Sequence, residues 1–218
     1  MSENQANVSR QTSARFPAWK RAMDIMIALA ALILLAGPML VIALLIRIAD
    51  GSPVLYRQTR LGQGGRHIKI IKFRSMCRNA EQRFDLFSEE ELAQYQREFK
   101  IDRDPRVTKL GGFLRKTSLD ELPQLWNILR GDLSIVGPRP ILPDEICHYS
   151  DAQRDVFLSA RPGLTGYWHA CSKPDDTYTT GKRQLMELHY AQNISIGFDV
   201  RIILHTVSTV IRKALHGA

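Results

Sequence analysis

Hydrophobic positions along the chain change their period several times, and each change marks a different element. Ile25 to Ile46 is apolar at every position, 22 residues without a charge. As one helix it reaches about 33 Å at 1.5 Å per residue, the length of a bilayer crossing. Apolar on all faces, it does not read as a helix of a water-facing core. Gly37-Pro38 interrupts it midway, where proline removes a donor and crowds the preceding turn. Basic residues flank both ends: Arg10, Arg15, Lys20 and Arg21 before it, and Arg47, Arg57, Arg60, Arg66, Lys69 and Lys72 after it. The positive-inside rule then gives a spanning helix no orientation, but it suits a helix whose two ends both stay cytoplasmic. The favoured expectation is a re-entrant membrane helix over 19–49, broken at Gly37-Pro38. An ordinary span with a tolerated proline is the alternative. The run begins too late and is too long for a signal peptide, and no A-x-A-like site follows it.

Beyond the run the pattern turns β-like. VLYRQ and HIKIIKF, joined by LGQGG, predict a hairpin within Pro53 to Met76. No helical pattern follows Gly62-Gln63-Gly64-Gly65, so these glycines read as a turn and not as a phosphate loop. Asn79 to Lys100 is a charged helical region with Ser88 and Glu91 spaced as a capping box. Ser118 and Glu121 share that spacing, and Pro123 is tolerated only in a first turn. The next helix should therefore start near Leu119 or Asp120, with Asp120-Glu121 at its positive end. Arg161-Pro162-Gly163 has the order of a type II turn. From Asp199 to Leu215 the pattern is amphipathic. Val200, Ile203, Leu204, Val207, Ile211 and Leu215 share one face, and Arg201, His205, Ser208 and Arg212 fall largely on the other. A core-packing helix and an in-plane interfacial helix both fit; the membrane segment favours the second.

These elements predict an α+β, mainly helical fold in three parts. Residues 1–18 form a polar tail of low order, 19–49 the membrane helix, and 50–218 a small cytoplasmic-face catalytic domain with a β-hairpin and interfacial amphipathic helices. Charge then narrows the partners. Lys and Arg number 30 against 22 acids, a formal net charge of +8. That balance points to phosphate esters, nucleic acid or acidic lipid. No helix-turn-helix, zinc finger or stacking motif accompanies the charge, which argues against nucleic acid. Cys77, Cys147 and Cys171 are odd in number and widely spaced, as reduced thiols are.

Arg115 to Pro140, RKTSLDELPQLWNILRGDLSIVGPRP, carries the chemistry. A reaction on a nucleotide diphosphate needs a cation to neutralise charge, arginines to hold non-bridging oxygens, and a nucleophile for phosphorus. A carboxylate can be that nucleophile, splitting the transfer through an acyl phosphate. Asp120, Glu121, Arg115, Arg139 and Arg161 are residues of these types, and Pro138 and Pro140 stiffen the backbone around Arg139. Taken alone, the same residues also fit ordinary capping and solvated arginines.

The block TSLDELPQLWNILRGDLSIVGPRP resembles the bacterial sugar transferases, the monotopic phosphoglycosyl transferases. KRAMDI, IIKFRSM, DPRVTKLGGFLRKTSLDE and ARPGLTGYW extend the resemblance, in the family's order, from Lys20 to the C-terminus. It implies a re-entrant helix and a site at the cytoplasmic face of the bacterial inner membrane. It further implies transfer of a sugar-1-phosphate from a UDP-sugar to polyprenyl phosphate, with release of UMP. Asp120 would attack phosphorus, Glu121 would hold Mg²⁺, and Lys72, Arg115, Arg139 and Arg161 would bind phosphate. The sequence looks most like small forms that begin exopolysaccharide repeats, with galactose or glucose as the expected sugar. Expected partners are a UDP-sugar, polyprenyl phosphate and a bilayer with anionic lipids, with a second copy of the chain as a further candidate. The sequence departs from the family at Gly37-Pro38, where relatives often have Ser-Pro. It departs again at Ala170-Cys171-Ser172-Lys173, in place of a Gly-Arg pair, and at Glu187, in place of an aspartate. Two other readings compete: a UDP-releasing glycosyltransferase using the D-x-D of Asp102 and Asp104, and a basic membrane-surface adaptor without catalysis.

Overall fold

The apolar run forms α1, Ala18–Ala49, a single 32-residue helix with Pro38 inside it. Its helical backbone continues on both sides of Gly37-Pro38. By length and composition α1 could cross a membrane. Of its residues only Lys20, Asp24, Ala28, Ile42 and Ile46 are buried. Ile33, Leu34, Leu40 and Ile48 are each more than 70% exposed, a surface that water does not favour. The computed structural model describes residues 17–99, 101, 104–173 and 175–216. Nearly all of the expected 1–18 tail, together with Asp102 and Arg103 of the D-x-D, lies outside them.

β1 (Leu55–Leu61) and β2 (His67–Phe73) pair antiparallel, with Leu55 opposite Phe73 and Leu61 opposite His67, as the alternating pattern predicts. Ile68 and Ile70 point into the main core while the intervening positions stay outside. The glycine turn between the strands holds Gly64 and Gly65 at positive φ. In the charged region only Glu89–Glu98 (α2) is α-helical. Its capping box is present: the Glu91 N–H donates to Ser88 Oγ, and the Ser88 N–H donates to Glu91 Oε2. Short 3-10 turns at Ala80–Gln82 and Phe84–Leu86 precede it.

α3 (Lys109–Lys116) is capped by Thr108, whose Oγ1 accepts the Gly111 N–H. The expected capping box at Ser118 does not form. Ser118 adopts a left-handed conformation, φ 57°, and its side chain caps nothing, because an N-cap side chain reaches forward only from extended backbone. The acid pair instead lies in a 3-10 turn, Leu119–Glu121, and α4 (Gln124–Arg130) starts after Pro123.

β3 (Ser134–Val136) pairs in parallel with β4 (Gly163–Thr165). Between them lie the GPRP segment, a 3-10 stretch Pro143–His148, and α5 (Asp151–Ser159). The expected type II turn at Arg161-Pro162-Gly163 is therefore replaced by the start of a strand. Gly163 is needed there for proximity, since a Cβ would lie 2.1 Å from Gly137 N. α6 (Tyr167–Cys171), α7 (Lys182–Gln192) and α8 (Ile196–His216) complete the domain. On α8, Asp199 and Ile202 face the core, whereas Val200, Leu204, Val207 and Ile211 are at least 45% exposed. The apolar stripe seen in the sequence thus faces mostly outward.

The two ends of α1 are fastened differently. Near the start, Lys20 Nζ donates to Asp199 Oδ2 at 2.5 Å, and both residues are buried. Asp24 Oδ1 accepts from Ser134 Oγ and the Ile135 N–H. Arg21 donates to the carbonyls of Ile128 and Leu129, closing the C-terminus of α4. Further along, Ile42 and Ile46 pack with Phe73 and Leu114, and Leu119 and Leu122 lie against that cluster. Asp199→Ala would remove the buried carboxylate that pairs with Lys20 and accepts from Tyr190 Oη, a change expected to cost about 3–5 kcal/mol of stability. Thermal melts of the two proteins in the same detergent test it; coincident curves would refute it.

Candidate active site

Leu119 and Leu122 hold the acid pair by its flanks, pressing the 3-10 turn onto the second half of α1. Beside it opens a narrow cleft. The hairpin lends Arg60, Ile70 and Lys72 to its wall, the acid-pair turn and α4 lend Glu121 and Gln124, and the GPRP segment lends Arg139. β4 and the residue after it, with His169 on α6 and Glu187 on α7, close the other side.

Lys72 Nζ donates to Glu121 Oε1 at 2.6 Å. Burial raises the Glu121 carboxyl, but Lys72, His169 and Arg139 outweigh it and leave the group below its ordinary value. Asp120 goes the other way. Burial lifts its pKa, the Glu121 charge adds to this, and Lys72 and Arg115 only partly oppose it. Adjacent carboxylates are thus driven apart, a pattern of groups with divided roles. The Asp120 side chain is 7% exposed, and no bond from it to another described residue competes for its oxygens. Arg115 is steadied by its Nε–H, which donates to Ser75 Oγ at 2.9 Å.

Six residues were expected at this site. Lys72, Glu121 and Arg139 line one cleft, and Asp120 and Arg115 are their electrostatic neighbours. Arg161 is placed elsewhere: it stands just before β4, where its charged neighbours are Arg21, Asp24, Arg66 and Asp132. Asp104 is taken up by Arg106, which reaches it through both Nε and Nη2. Sequence reasoning missed Arg60, Gln124 and His169 in the cleft wall, and Glu145 and Arg183 behind it. None has a local signature, because their neighbours are dozens of residues away.

Glu187 joins the cleft as a buried acid whose Oε2 accepts the Arg139 N–H at 3.1 Å. Burial pushes its pKa up to about 7, although Arg183 and Arg139 pull the other way. The folded state therefore holds a proton that the unfolded chain has released between the ordinary 4.5 and about 7. Stability falls as pH rises through that window, by about 3 kcal/mol. Glu187→Gln, neutral throughout and still able to accept from Arg139, should melt higher than the parent at pH 8 and match it near pH 5. A difference that does not vary with pH would contradict the assignment.

Among the described residues no group of three or more His, Cys, Asp or Glu gathers to hold a metal. A hard cation here would rely on one carboxylate and the oxygens of a substrate, the pattern that suits Mg²⁺. Glu121 fits, with Oε1 on Lys72 and Oε2 unbonded among the described residues.

Paired carboxylates of divided character, with cations around them and a membrane-type helix beside them, are the parts that phosphoryl transfer at a membrane needs. The chain belongs to the bacterial sugar transferase family, whose sequence profile matches residues 15–213. It is 41% identical over 194 residues to the exopolysaccharide production protein ExoY of Sinorhizobium fredii, covering 88% of this chain and 84% of that one. It is 38% identical over 212 residues to the undecaprenyl-phosphate galactose phosphotransferase of Salmonella typhimurium, covering 96% of this chain and 43% of that one. A UDP-N-acetylgalactosamine-undecaprenyl-phosphate N-acetylgalactosaminephosphotransferase of Aeromonas hydrophila is 35% identical over 199 residues, covering 88% of this chain and 43% of that one. The chain spans less than half the length of these last two relatives.

Proposed function

We propose that the protein transfers a hexose-1-phosphate from a UDP-sugar to undecaprenyl phosphate and releases UMP, the first membrane step of exopolysaccharide synthesis. An Asp120 oxygen attacks the β-phosphorus, the bond from that phosphorus to the bridging oxygen breaks, and UMP leaves with the electron pair. An oxygen of undecaprenyl phosphate then attacks the same phosphorus, and Asp120 departs as a carboxylate. Lys72, Arg115 and Arg139 steady the phosphoryl oxygens. Mg²⁺, when bound, would neutralise diphosphate charge, with Glu121 holding it. The observation that carries the reading is the uncommitted, buried Asp120 carboxylate, with Lys72 and Arg115 as its charged neighbours. Relatives named for galactose and N-acetylgalactosamine transfer support a UDP-sugar donor; galactose or glucose is the sugar we expect.

The site belongs at the cytoplasmic face of the inner membrane, with α1 entering one leaflet and returning. The basic flanks of α1 and the outward apolar stripe of α8 support contact with a bilayer carrying anionic lipid.

The test is nucleotide release from the purified chain with Mg²⁺ and undecaprenyl phosphate, across UDP-glucose, UDP-galactose and N-acetylated UDP-hexosamines. UMP from one donor is the expected product. UDP would move the chemistry to a direct glycosyl transfer, and no nucleotide from any donor would favour the adaptor reading.

A further inference from the structure

Behind Arg139 lies a second set of charges that the phosphorus chemistry does not call on. Its centre is Glu145, 2% exposed, which takes four donors. Oε1 accepts from Arg60 Nη1 at 3.1 Å and from the Leu142 N–H at 2.9 Å. Oε2 accepts from Tyr178 Oη at 2.8 Å and from Arg183 Nη2 at 3.2 Å. Each arginine then reaches toward the GPRP segment. Arg60 Nη1 also donates to the Pro140 carbonyl at 3.2 Å. The Arg183 guanidinium sits over two rings, Tyr178 at 3.8 Å and Trp168 at 4.3 Å, and Arg139 lies 5.7 Å from that same Trp168 ring. With Glu187 holding the Arg139 N–H, the backbone around Arg139 is gripped from both sides. Its own Nε is buried and has no hydrogen-bond partner among the described residues.

Three buried or half-buried guanidiniums thus face two carboxylates. A wall built for stability alone gains little from surplus cations taken out of water. The surplus makes sense if an anion enters the cleft and completes the set. Arg139 and Arg183 each keep a buried Nε without a hydrogen-bond partner among the described residues, and of the two only Arg139 lines the cleft.

We propose that Glu145 is a positioning residue for donor binding: by holding Arg60 and Arg183 it fixes the GPRP segment so that Arg139 meets a non-bridging oxygen of the donor's diphosphate. The identity of that anion rests on the function proposed above. Glu145 touches no substrate itself.

The experiment titrates UDP into the full chain in detergent with Mg²⁺ by calorimetry, beside steady-state UMP release and melts without ligand. Glu145→Gln keeps the shape but drops the charge and turns an amide N–H₂ toward Arg183. It should weaken UDP binding and raise KM for the nucleotide sugar, each about tenfold, the size of one lost charge-assisted bond, while leaving kcat within about threefold. Glu145→Asp should recover most of the loss. Arg139→Lys combined with Glu145→Gln should bind UDP no more weakly than Arg139→Lys alone, because both act through one contact. If Glu145→Gln does not fold, Arg60→Lys keeps the charge, loses the reach to both Glu145 and Pro140, and should still weaken UDP binding several-fold.

A folded Glu145→Gln or Arg60→Lys with parental UDP affinity overturns the proposal, as do losses that multiply in the double variant. Wild-type protein that binds no UDP overturns it as well. UDP binding with the expected losses but without UMP from any donor leaves it standing and removes the proposed reaction instead.

Discussion

Asp120→Asn is expected to lose UMP release by at least about a thousandfold, because an amide oxygen is a far poorer nucleophile toward phosphorus than a carboxylate. The loss should come without unfolding. The Asp120 carboxylate is buried, its pKa is already raised, and it makes no bond to another described residue that asparagine would break. The melting temperature should therefore hold or rise. A donor labelled at the β-phosphate separates chemistry from binding. Parental protein incubated with donor and no acceptor should keep label after denaturation, and the variant should keep none. Label on both proteins, or UMP release that survives the substitution, would show that another group attacks phosphorus.

Gly163→Ala should be among the most damaging substitutions away from the acid pair. A Cβ there would stand 2.1 Å from Gly137 N and 2.3 Å from the Thr165 carbonyl oxygen, with backbone on both sides and no flexible side chain to yield. The bonds that join these segments, Gly163 N–H to Pro138 O and Gly137 N–H to Thr165 O, are both 2.9 Å and cannot survive the separation. Overpacking of this kind against fixed backbone is expected to cost about 3 kcal/mol or more. The effect reaches the site, since Arg139 and Pro140 follow directly from this junction. The variant should express poorly, melt well below the parent and bind UDP weakly; a melt like the parent's would mean that the strands can part without harm.

Legibility in the sequence follows the range of the forces involved. The hairpin and α1 could be read because their signals are local: period-two alternation around a glycine turn, and a run with no polar position. The acid pair and Arg139 could be read because one ordered block carries them. Ser118 and Gly163 misled for a shared reason. The capping spacing and the Arg-Pro-Gly string are real local preferences, but contacts with distant segments outweigh them, turning Ser118 left-handed and drawing Gly163 against Gly137. Lys20 and Asp199, 179 positions apart, leave no mark on either neighbourhood. Glu145 is equally silent, since its meaning depends on Arg60 and Arg183, which arrive from a strand and a helix far along the chain.

The fastening of α1 bears on how this enzyme can be handled. A membrane anchor is commonly a tether that can be clipped off to free a soluble catalytic unit. Here the first turns of the helix neutralise Asp199 and close α4 through Arg21, and its later turns floor the acid pair through Ile42 and Ile46. Cutting the chain before Leu55 would uncover the floor of the acid pair and leave a buried carboxylate without its cation. The helix is a structural member of the catalytic domain, and the lipid or detergent that surrounds it forms part of the enzyme's working environment.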